Sequence, residues 1–272
     1  MCVAGCEKTV RSALSRRGFF RGAGAAAAVS FAASAATLPP AHAASFSRVV
    51  DLTHTMSPKF PTFFGAAGIE MRRARNFKKD GYNMYWWRIV EHAGTHLDAP
   101  IHFSESGASV EKLAAADLVV PLAVIDVTER AAQDPDYALT PDDLAAWEKA
   151  HGRLPDRCCV AMNSGWAQFV NDGKFAGRDI DGTYHFPGFG EEAVLWLMKE
   201  RQVTGIAVDT MSLDTGNSKD FKAHYHWLPS GRWGLENVAN LADVPASGAT
   251  LVVGMPKVKG ATGGPARLLA LV

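Results

Sequence analysis

The chain has 272 residues, of which 28 are basic and 28 are acidic, so its formal net charge at pH 7 is zero. Residues 1–43 contain five basic residues and one acidic residue, which leaves 23 basic and 27 acidic residues from position 44 onward. That net charge near −4 argues against a nucleic acid or an anionic membrane as a partner of this part of the chain.

The first 43 residues have the pattern of an export signal. Arg16 and Arg17 precede two phenylalanines, an alanine-rich stretch covers 22–38, and Ala41-His-Ala43 is a small-x-small cleavage site. A disordered tail or a membrane anchor is the alternative, but a transmembrane helix needs about 20 strongly apolar residues. We predict a twin-arginine signal peptide over 1–43, recognised by the twin-arginine export machinery. Residues 44–272 would then form one periplasmic or secreted domain of 229 residues with no membrane segment.

Strand patterns outnumber helix patterns in the rest of the chain. A helix is predicted to open at Thr140 and Pro141, which suit the N-cap and the first helical position, and a second helix covers 191–201. Apolar or β-branched runs predict strands over 47–54, 82–90, 121–127, 158–163, 203–209, 251–255 and 266–272. The pattern predicts a single α/β domain with a mixed sheet or barrel-like core.

Two adjacent cysteines, Cys158 and Cys159, lie at the start of one predicted strand. Neighbouring cysteines rarely reach disulfide geometry without strain. A reactive thiol is an open alternative, but the apolar flanks favour two buried residues in a strand.

Three histidines and an aspartate lie within eleven residues, at His92, His96, Asp98 and His102. Imidazole and carboxylate are ligands that zinc and manganese accept. The even spacing of these residues would place them on one face of an extended chain. The alternative to a metal site is that they are four unrelated polar residues on one face of a strand. A straight strand would spread them over roughly 33 Å, which is too far for one ion.

A metal site at this motif therefore requires a bent chain. Gly94, Thr95 and Pro100 disfavour a continuous helix. We predict that the chain bends at Gly94-Thr95 and at Pro100, which would bring the ligands around a common centre.

Further ligands are expected from the second half of the chain, because a catalytic metal often needs more than one segment supplies. His224 and His226 precede Glu236, which lies among apolar neighbours. A buried glutamate is rare unless it is paired or metal-bound. A salt bridge to Arg232 or a helix-capping role is the alternative for Glu236.

The stretch His92-x-Gly-Thr-His96-x-Asp98-x-Pro-x-His102 resembles the signature of the cyclase family of metal-dependent hydrolases. That family includes bacterial kynurenine formamidase, isatin hydrolase and a dienelactone hydrolase. Weaker similarity continues through 120–126, 205–210 and 235–241. The resemblance implies a swivelling β/β/α-type domain, assembled as a homodimer or homotetramer.

The resemblance also implies roles for individual residues. His92, His96 and Asp98 would be metal ligands, and His102 would be the catalytic residue that moves protons. In formamidase-like members of the family, a further metal-binding histidine lies twelve residues before a metal-binding glutamate. That spacing implies His224, rather than His226, as a further ligand. Its partner Glu236 would be both a metal ligand and a catalytic residue. The implied cofactor is Zn²⁺ or Mn²⁺, as one or two ions.

The ligand set points to hydrolysis. Such a cation can lower the pKa of water towards about 7, and His102 could take the proton and return it to the leaving group. A serine nucleophile is not expected, because Asn163-Ser-Gly lacks the first glycine of a nucleophile elbow.

Aromatic residues near the motif favour a flat aromatic or cyclic substrate. Four residues are predicted to contact it: Phe63, Trp86, Trp87 and Phe186. We expect metal-activated water to open a C–N bond of an aryl or cyclic amide, such as an isatin-like lactam or an N-formyl-arylamine. A dienelactone-type lactone hydrolase and a non-catalytic periplasmic metal-binding protein are the alternatives. His102 favours an enzyme, since a binding module needs no proton shuttle.

Overall fold

A computed structural model describes residues 45–272. The predicted signal peptide over 1–43 lies outside these residues, so export by the twin-arginine route and a periplasmic location stay predictions. Within 45–272, no helix is both long enough and apolar enough to cross a membrane.

Thirteen strands and five α-helices make up this part of the chain. The strands are β1 (Val49–Asp51), β2 (Ile69–Arg75), β3 (Met84–Ile89), β4 (His96–Asp98), β5 (Val119–Asp126), β6 (Ala138–Leu139), β7 (Cys159–Asn163), β8 (Gly188–Phe189), β9 (Gly205–Val208), β10 (Trp233–Glu236), β11 (Ala249–Gly254), β12 (Gly263–Pro265) and β13 (Arg267–Leu271). The helices are α1 (Phe77–Asp80), α2 (Thr128–Gln133), α3 (Pro141–His151), α4 (Glu191–Glu200) and α5 (Lys222–Trp227).

Nine of the strands form one mixed sheet in the order β1-β13-β11-β5-β7-β9-β10-β4-β12. The central strands β5, β7, β9 and β10 run parallel, and the remaining pairs are antiparallel. The prediction of an α/β domain with a mixed sheet is confirmed.

The sheet is buried on both faces, and β5 illustrates why. Leu122 and Val124 pack into one apolar cluster with β11 and β13, whereas Ala123 and Ile125 pack into a second cluster with α3 and α4. Successive side chains of a strand point to opposite faces, so a continuous apolar run fits a strand covered on both sides.

The predicted helix start at Thr140 is confirmed. The Thr140 hydroxyl accepts a hydrogen bond from the backbone N–H of Asp143, and the Asp143 carboxylate accepts one from the backbone N–H of Thr140. This reciprocal pairing satisfies two N–H groups that the first turn of a helix leaves unpaired.

Cys158 and Cys159 are fully buried, as the strand interpretation predicts. Burial raises the pKa of the Cys158 thiol to about 12 and raises the pKa of Cys159 well above its ordinary value. Neither thiol is activated as a nucleophile by its surroundings.

Candidate metal centre

Two neighbouring strands place the first three ligand-type side chains. His96 and Asp98 are alternate residues of β4, so both project from the same face of the sheet. Glu236 of β10 is the antiparallel partner of His96 in the strand register, which brings its carboxylate beside the histidine. The three side chains are almost completely buried.

The chain bends on both sides of β4, at the positions that the sequence predicts. Gly94 has a φ of +68°, a left-handed conformation that favours glycine, and Pro100 opens a short 3₁₀ helix. The two bends bring His92 and His102 together, and their rings stack with centroids 3.7 Å apart and an interplanar angle of 17°. The motif is therefore folded around a common centre.

Helix α5 supplies His224 to this centre. The His224 Nε2 atom lies 3.1 Å from Glu236 Oε1 and 3.6 Å from Asp98 Oδ2. His226 instead lies 2.8 Å from Glu191 at the surface of the molecule. The structure thus brings His224, and not His226, to the other ligand-type residues.

Hydrogen bonds to the Nδ1 atoms of His96 and His224 leave the Nε2 atom of each ring facing the other ligand-type residues. His96 Nδ1 donates to the Gly94 carbonyl at 2.8 Å, and His224 Nδ1 donates to the Asp214 carboxylate at 2.6 Å. In a neutral imidazole the other nitrogen then carries a lone pair. When both rings are neutral, their Nε2 lone pairs therefore point at the carboxylates of Asp98 and Glu236.

The interior of this group fits a cation. Among residues 45–272, the buried atoms His96 Nε2 and Asp98 Oδ2 have no hydrogen-bond partner. His96 Nε2 lies 3.2 Å from Asp98 Oδ1 and 3.4 Å from Glu236 Oε2. Lone pairs that converge on two buried carboxylates repel one another unless a positive charge lies between them, which is the arrangement that metal ligands require.

The pKa of Glu236 reflects the same crowding. Burial and the nearby Asp98 carboxylate raise the pKa of Glu236. Its Oε1 atom accepts a hydrogen bond of 3.0 Å from the backbone N–H of Leu213. Arg232 instead donates to the Val203 carbonyl and to Ser230. Glu236 therefore has neither of the alternative roles, which were a salt bridge to Arg232 and a helix cap.

Two groups of three residues each have ligand atoms that all lie within 4.8 Å of one another. One group is His92, His96 and Asp98, and the other is Asp98, His102 and His224. Distance alone therefore does not separate a ligand role from an acid–base role for His102. Burial lowers the pKa of His102 to about 4, so its ring is neutral at pH 7 and can accept a proton. Its assignment as the proton-moving residue stays a prediction.

A cavity of about 320 Å³ opens over these residues. Its walls are largely aromatic, and the four phenylalanines that line it are Phe63, Phe64, Phe103 and Phe221. His92, His102, His224 and Glu236 line the same cavity. A flat apolar ring can thus lie directly against the polar centre.

Only Phe63 of the four predicted substrate contacts lies at this cavity in the described part of the chain. Phe186 is fully buried in a separate aromatic cluster with Trp166 and Phe175. Trp86 and Trp87 lie on β3 and are 68% and 64% exposed. Aromatic content marked these segments as structured, but it does not indicate which way a side chain points.

Several residues at the site were not predicted from the sequence. Asp214 holds His224 and also accepts hydrogen bonds from the first N–H groups of α5, although it lies ten residues earlier in the chain. Phe103 directly follows the motif, and its ring lies 4.5 Å from that of His224. The position next to His102 was the available signal for Phe103, whereas Asp214 had none beyond its place in the loop that follows β9.

A family model described as "Putative cyclase" matches residues 50–215 of the chain. The chain is 31% identical to an isatin hydrolase of Roseibium aggregatum over 242 residues, which cover 82% of this chain and 91% of that protein. It is 23% identical to a kynurenine formamidase of Salinibacter ruber over 221 residues, covering 80% of this chain and 95% of that protein.

Solved structures give the same relationship. Isatin hydrolase A from Labrenzia aggregata, bound to benzyl benzoate, superposes with a TM-score of 0.78 at 36% identity, covering 83% of this chain and 93% of that one. Isatin hydrolase A from Ralstonia solanacearum superposes with a TM-score of 0.77 at 36% identity, covering 83% and 92%.

Proposed function

Since the chain belongs to the cyclase family, we propose that it hydrolyses the C–N bond of an aryl or cyclic amide, such as an isatin-like lactam or an N-formyl-arylamine. One observation carries this proposal: ligand-type imidazoles and carboxylates converge on the floor of an aromatic cavity. Relatives named isatin hydrolase and kynurenine formamidase support the same class of substrate.

The proposal includes one or two divalent cations, Zn²⁺ or Mn²⁺. His92, His96 and Asp98 would hold one cation, and His224 and Glu236 would complete a second position that shares Asp98. When bound, such a cation supplies the Lewis acidity that lowers the pKa of water and stabilises charge on a carbonyl oxygen.

His102 is proposed to handle the proton. Its ring lines the cavity and stacks on the ring of His92, with centroids 3.7 Å apart. A neutral imidazole in this position can take a proton from water and give it to the leaving nitrogen of the amide. Burial keeps the pKa of His102 low, which favours the proton-accepting form at neutral pH.

The phenylalanines are proposed to hold the aryl group. The Phe103 ring is 4.5 Å from His224 and 6.0 Å from Phe221, so one aromatic wall stands beside the polar centre. Aromatic pairs at such separations are favourable. A ring that stacks on this wall would place its attached carbonyl over the carboxylates.

A substrate panel tests the proposal. The purified protein would be supplied with Mn²⁺ or Zn²⁺ and assayed with isatin, N-formylkynurenine and a dienelactone. We expect hydrolysis of at least one of the two amides, with a higher kcat/KM than for the lactone. Hydrolysis of the lactone alone would contradict the C–N assignment.

We also propose that the protein is a homo-oligomer in which a second copy covers the hairpin of β2 and β3. These strands pair only with each other, and every residue of β3 except Ile89 is exposed. An isolated two-stranded hairpin is marginally stable in water, so a covering surface is expected. Its exposed apolar side chains include Met71, Trp86 and Trp87.

The charge distribution favours a second copy as the partner of the hairpin. Residues 69–90 contain six basic and two acidic side chains, whereas the rest of 45–272 contains 17 basic and 25 acidic ones. The hairpin is therefore complementary in charge to the body of another copy, and like charges disfavour contact between two hairpins. A symmetric exchange of hairpins would satisfy both copies.

A further inference from the structure

His92 differs from the other two inward-facing imidazoles, because it lies in a loop and its side chain is 22% exposed, compared with 1% for His96. A partly exposed ring needs other contacts to hold one orientation. We propose that Thr262 and Glu91, together with the bare backbone of Gly263, form a platform that positions His92 and, through it, His102. The inference rests on the proposed function in one respect, namely that His92 is a metal ligand.

Hydrogen bonding to Thr262 fixes the tautomer of His92. The Thr262 hydroxyl donates to Glu91 Oε2 at 2.5 Å, and the Thr262 backbone N–H lies 3.3 Å from the same oxygen. A hydroxyl has a single proton to donate. His92 Nε2, which lies 2.8 Å from the Thr262 hydroxyl, must therefore be the donor in that contact.

The consequence appears on the other side of the ring. With its proton on Nε2, neutral His92 presents a lone pair at Nδ1, which lies 2.6 Å from Asp98 Oδ1. Two acceptors this close require a positive charge beside them, which is consistent with a role for both groups as metal ligands. Metal-binding histidines characteristically use their second nitrogen in this way, as a donor to a fixed acceptor. The Glu91 carboxylate accepts the proton of the Thr262 hydroxyl, and the oxygen of that hydroxyl accepts the hydrogen bond from His92 Nε2.

Gly263 provides the space in which the ring lies. A Cβ atom at this position would come within 2.6 Å of His92 Cε1, 3.1 Å of His92 Nδ1 and 2.4 Å of the Leu97 carbonyl oxygen. Gly263 is also paired with Asp98 in the register of β12 and β4, so the ring rests on the strand next to its own ligand partner. A side chain at 263 would displace either the ring or the strand.

The His92 ring also stacks on the ring of His102. The two rings are nearly parallel, with centroids 3.7 Å apart. Any movement of His92 therefore changes the support of His102. Thr262 and Glu91 act through His92, so they are positioning residues rather than catalytic ones.

Metal affinity of three threonine variants tests the platform. Thr262→Val keeps the shape of the side chain and removes the hydroxyl, Thr262→Ser restores the hydroxyl, and Thr140→Val removes the cap of α3, away from the site. Mn²⁺ or Zn²⁺ affinity would be measured by competition with a chelator. We expect a loss of roughly 10- to 100-fold in Thr262→Val, near wild-type affinity in Thr262→Ser, and wild-type affinity with a lowered melting temperature in Thr140→Val.

Other outcomes count against the platform. Wild-type affinity in Thr262→Val would overturn it, as would an equal loss of affinity in Thr140→Val. The variant Glu91→Gln, which retains an acceptor for the Thr262 hydroxyl, provides a second test if Thr262→Val does not fold. We expect Glu91→Gln to lose several-fold in affinity, and an unchanged affinity would remove Glu91 from the platform.

A spectroscopic measurement separates this inference from the proposed function. Long-range ¹H–¹⁵N correlation spectra of the histidine rings should show His92 protonated at Nε2 in the wild type. The spectra of Thr262→Val should show a mixture of tautomers or the Nδ1-protonated form. A wild-type His92 protonated at Nδ1 would overturn the inference, whatever the outcome of the substrate panel. If the protein hydrolyses no amide but the tautomer and the affinities change as expected, only the proposed function fails.

Discussion

His102 is the residue on which the proposed proton transfer depends. We expect His102→Ala to retain its bound metal and to lose hydrolysis by roughly 10²- to 10⁴-fold, because a positioned acid–base residue contributes a factor of that size. His226→Ala is the matched control, since His226 lies on the same short helix as His224 but pairs with Glu191 at the surface. Metal content and kcat would be measured on both variants. Unchanged hydrolysis in His102→Ala would exclude the role assigned to this ring.

His185 makes stability depend on pH at a place remote from the metal centre. Its Nδ1 atom lies 2.8 Å from Asp136 and its Nε2 atom lies 3.2 Å from Asp179, and the hydrogen bonds to Asp136 and then Asp179 raise the pKa of His185. A raised folded-state pKa means that His185 stabilises the fold below its unfolded-state pKa, about 6.5, and that this stability is lost as the pH rises through the folded-state value.

His185→Gln removes this contribution. The wild type should therefore be more stable than His185→Gln near pH 5, and the difference in their free energies of unfolding should shrink by about pH 8. Chemical unfolding at several pH values measures this difference. A difference that grows with pH would show that the two aspartates do not hold a protonated ring.

At the scale of single residues, the sequence predicted the part of the site that is local. The residues from His92 to His102 contain their own bend signals, so their convergence could be argued without a structure. Asp214 and Thr262 could not be found in this way, because each acts through a hydrogen bond on a histidine outside its own local pattern, 10 and 170 residues away respectively. Trp86 and Trp87 illustrate the converse, since aromatic character predicts the strand β3 but does not predict which residues line the cavity.

The central strands of the sheet depend on close backbone packing at a few glycines. A Cβ at Gly205 of β9 would lie 2.1 to 2.3 Å from three carbons of the Trp233 ring on the neighbouring strand. We expect Gly205→Ala to lower the free energy of unfolding by about 1 to 3 kcal/mol or more, because buried rings cannot move aside without disturbing their own contacts.

Gly173→Ala is the matched control for this substitution. No atom of the described residues lies within 4 Å of a Cβ at Gly173. We expect it to change the free energy of unfolding by no more than about 0.5 kcal/mol. Urea denaturation would compare the two variants. An equal effect would indicate that the contact between Gly205 and Trp233 does not limit the packing of β9.

At the scale of elements, long apolar runs were predictable and short strands were not. The predicted strands over 121–127 and 203–209 correspond to β5 and β9, and the predicted helix over 191–201 corresponds to α4. The strands β10 and β12 have only four and three residues and contain glycines, so no local periodicity marks them. Their conformation follows from pairing with β4, and that pairing completes the site.

At the scale of the whole molecule, we propose that the hairpin of β2 and β3 governs assembly into an oligomer. We expect the wild type to sediment as a dimer or tetramer at micromolar concentration, and the double variant Trp86→Ser, Trp87→Ser to sediment as a smaller species. Loss of two large apolar side chains removes the surface that a partner would bury. Ile180→Ser is the control, because Ile180 is another exposed apolar residue but lies outside the hairpin.

Analytical ultracentrifugation distinguishes the outcomes. A monomeric wild type would remove the proposed role of the hairpin, and so would an assembly of unchanged size in the double variant. The sequence indicated an oligomer only through family resemblance. The exposed strands β2 and β3 give a physical reason for an oligomer. The difference in charge between the basic hairpin and the acidic remainder of 45–272 gives another, which becomes evident only when separate segments are compared.

We propose that the histidines and carboxylates around Asp98 hold a divalent cation that the protein needs to hydrolyse an amide. The most direct measurement is the rate of amide hydrolysis as a function of bound metal, with the protein first stripped by a chelator and then titrated with Mn²⁺ or Zn²⁺. We predict that hydrolysis is lost on stripping and returns in proportion to one or two bound ions per chain. Full hydrolysis by protein that contains no metal would contradict the account.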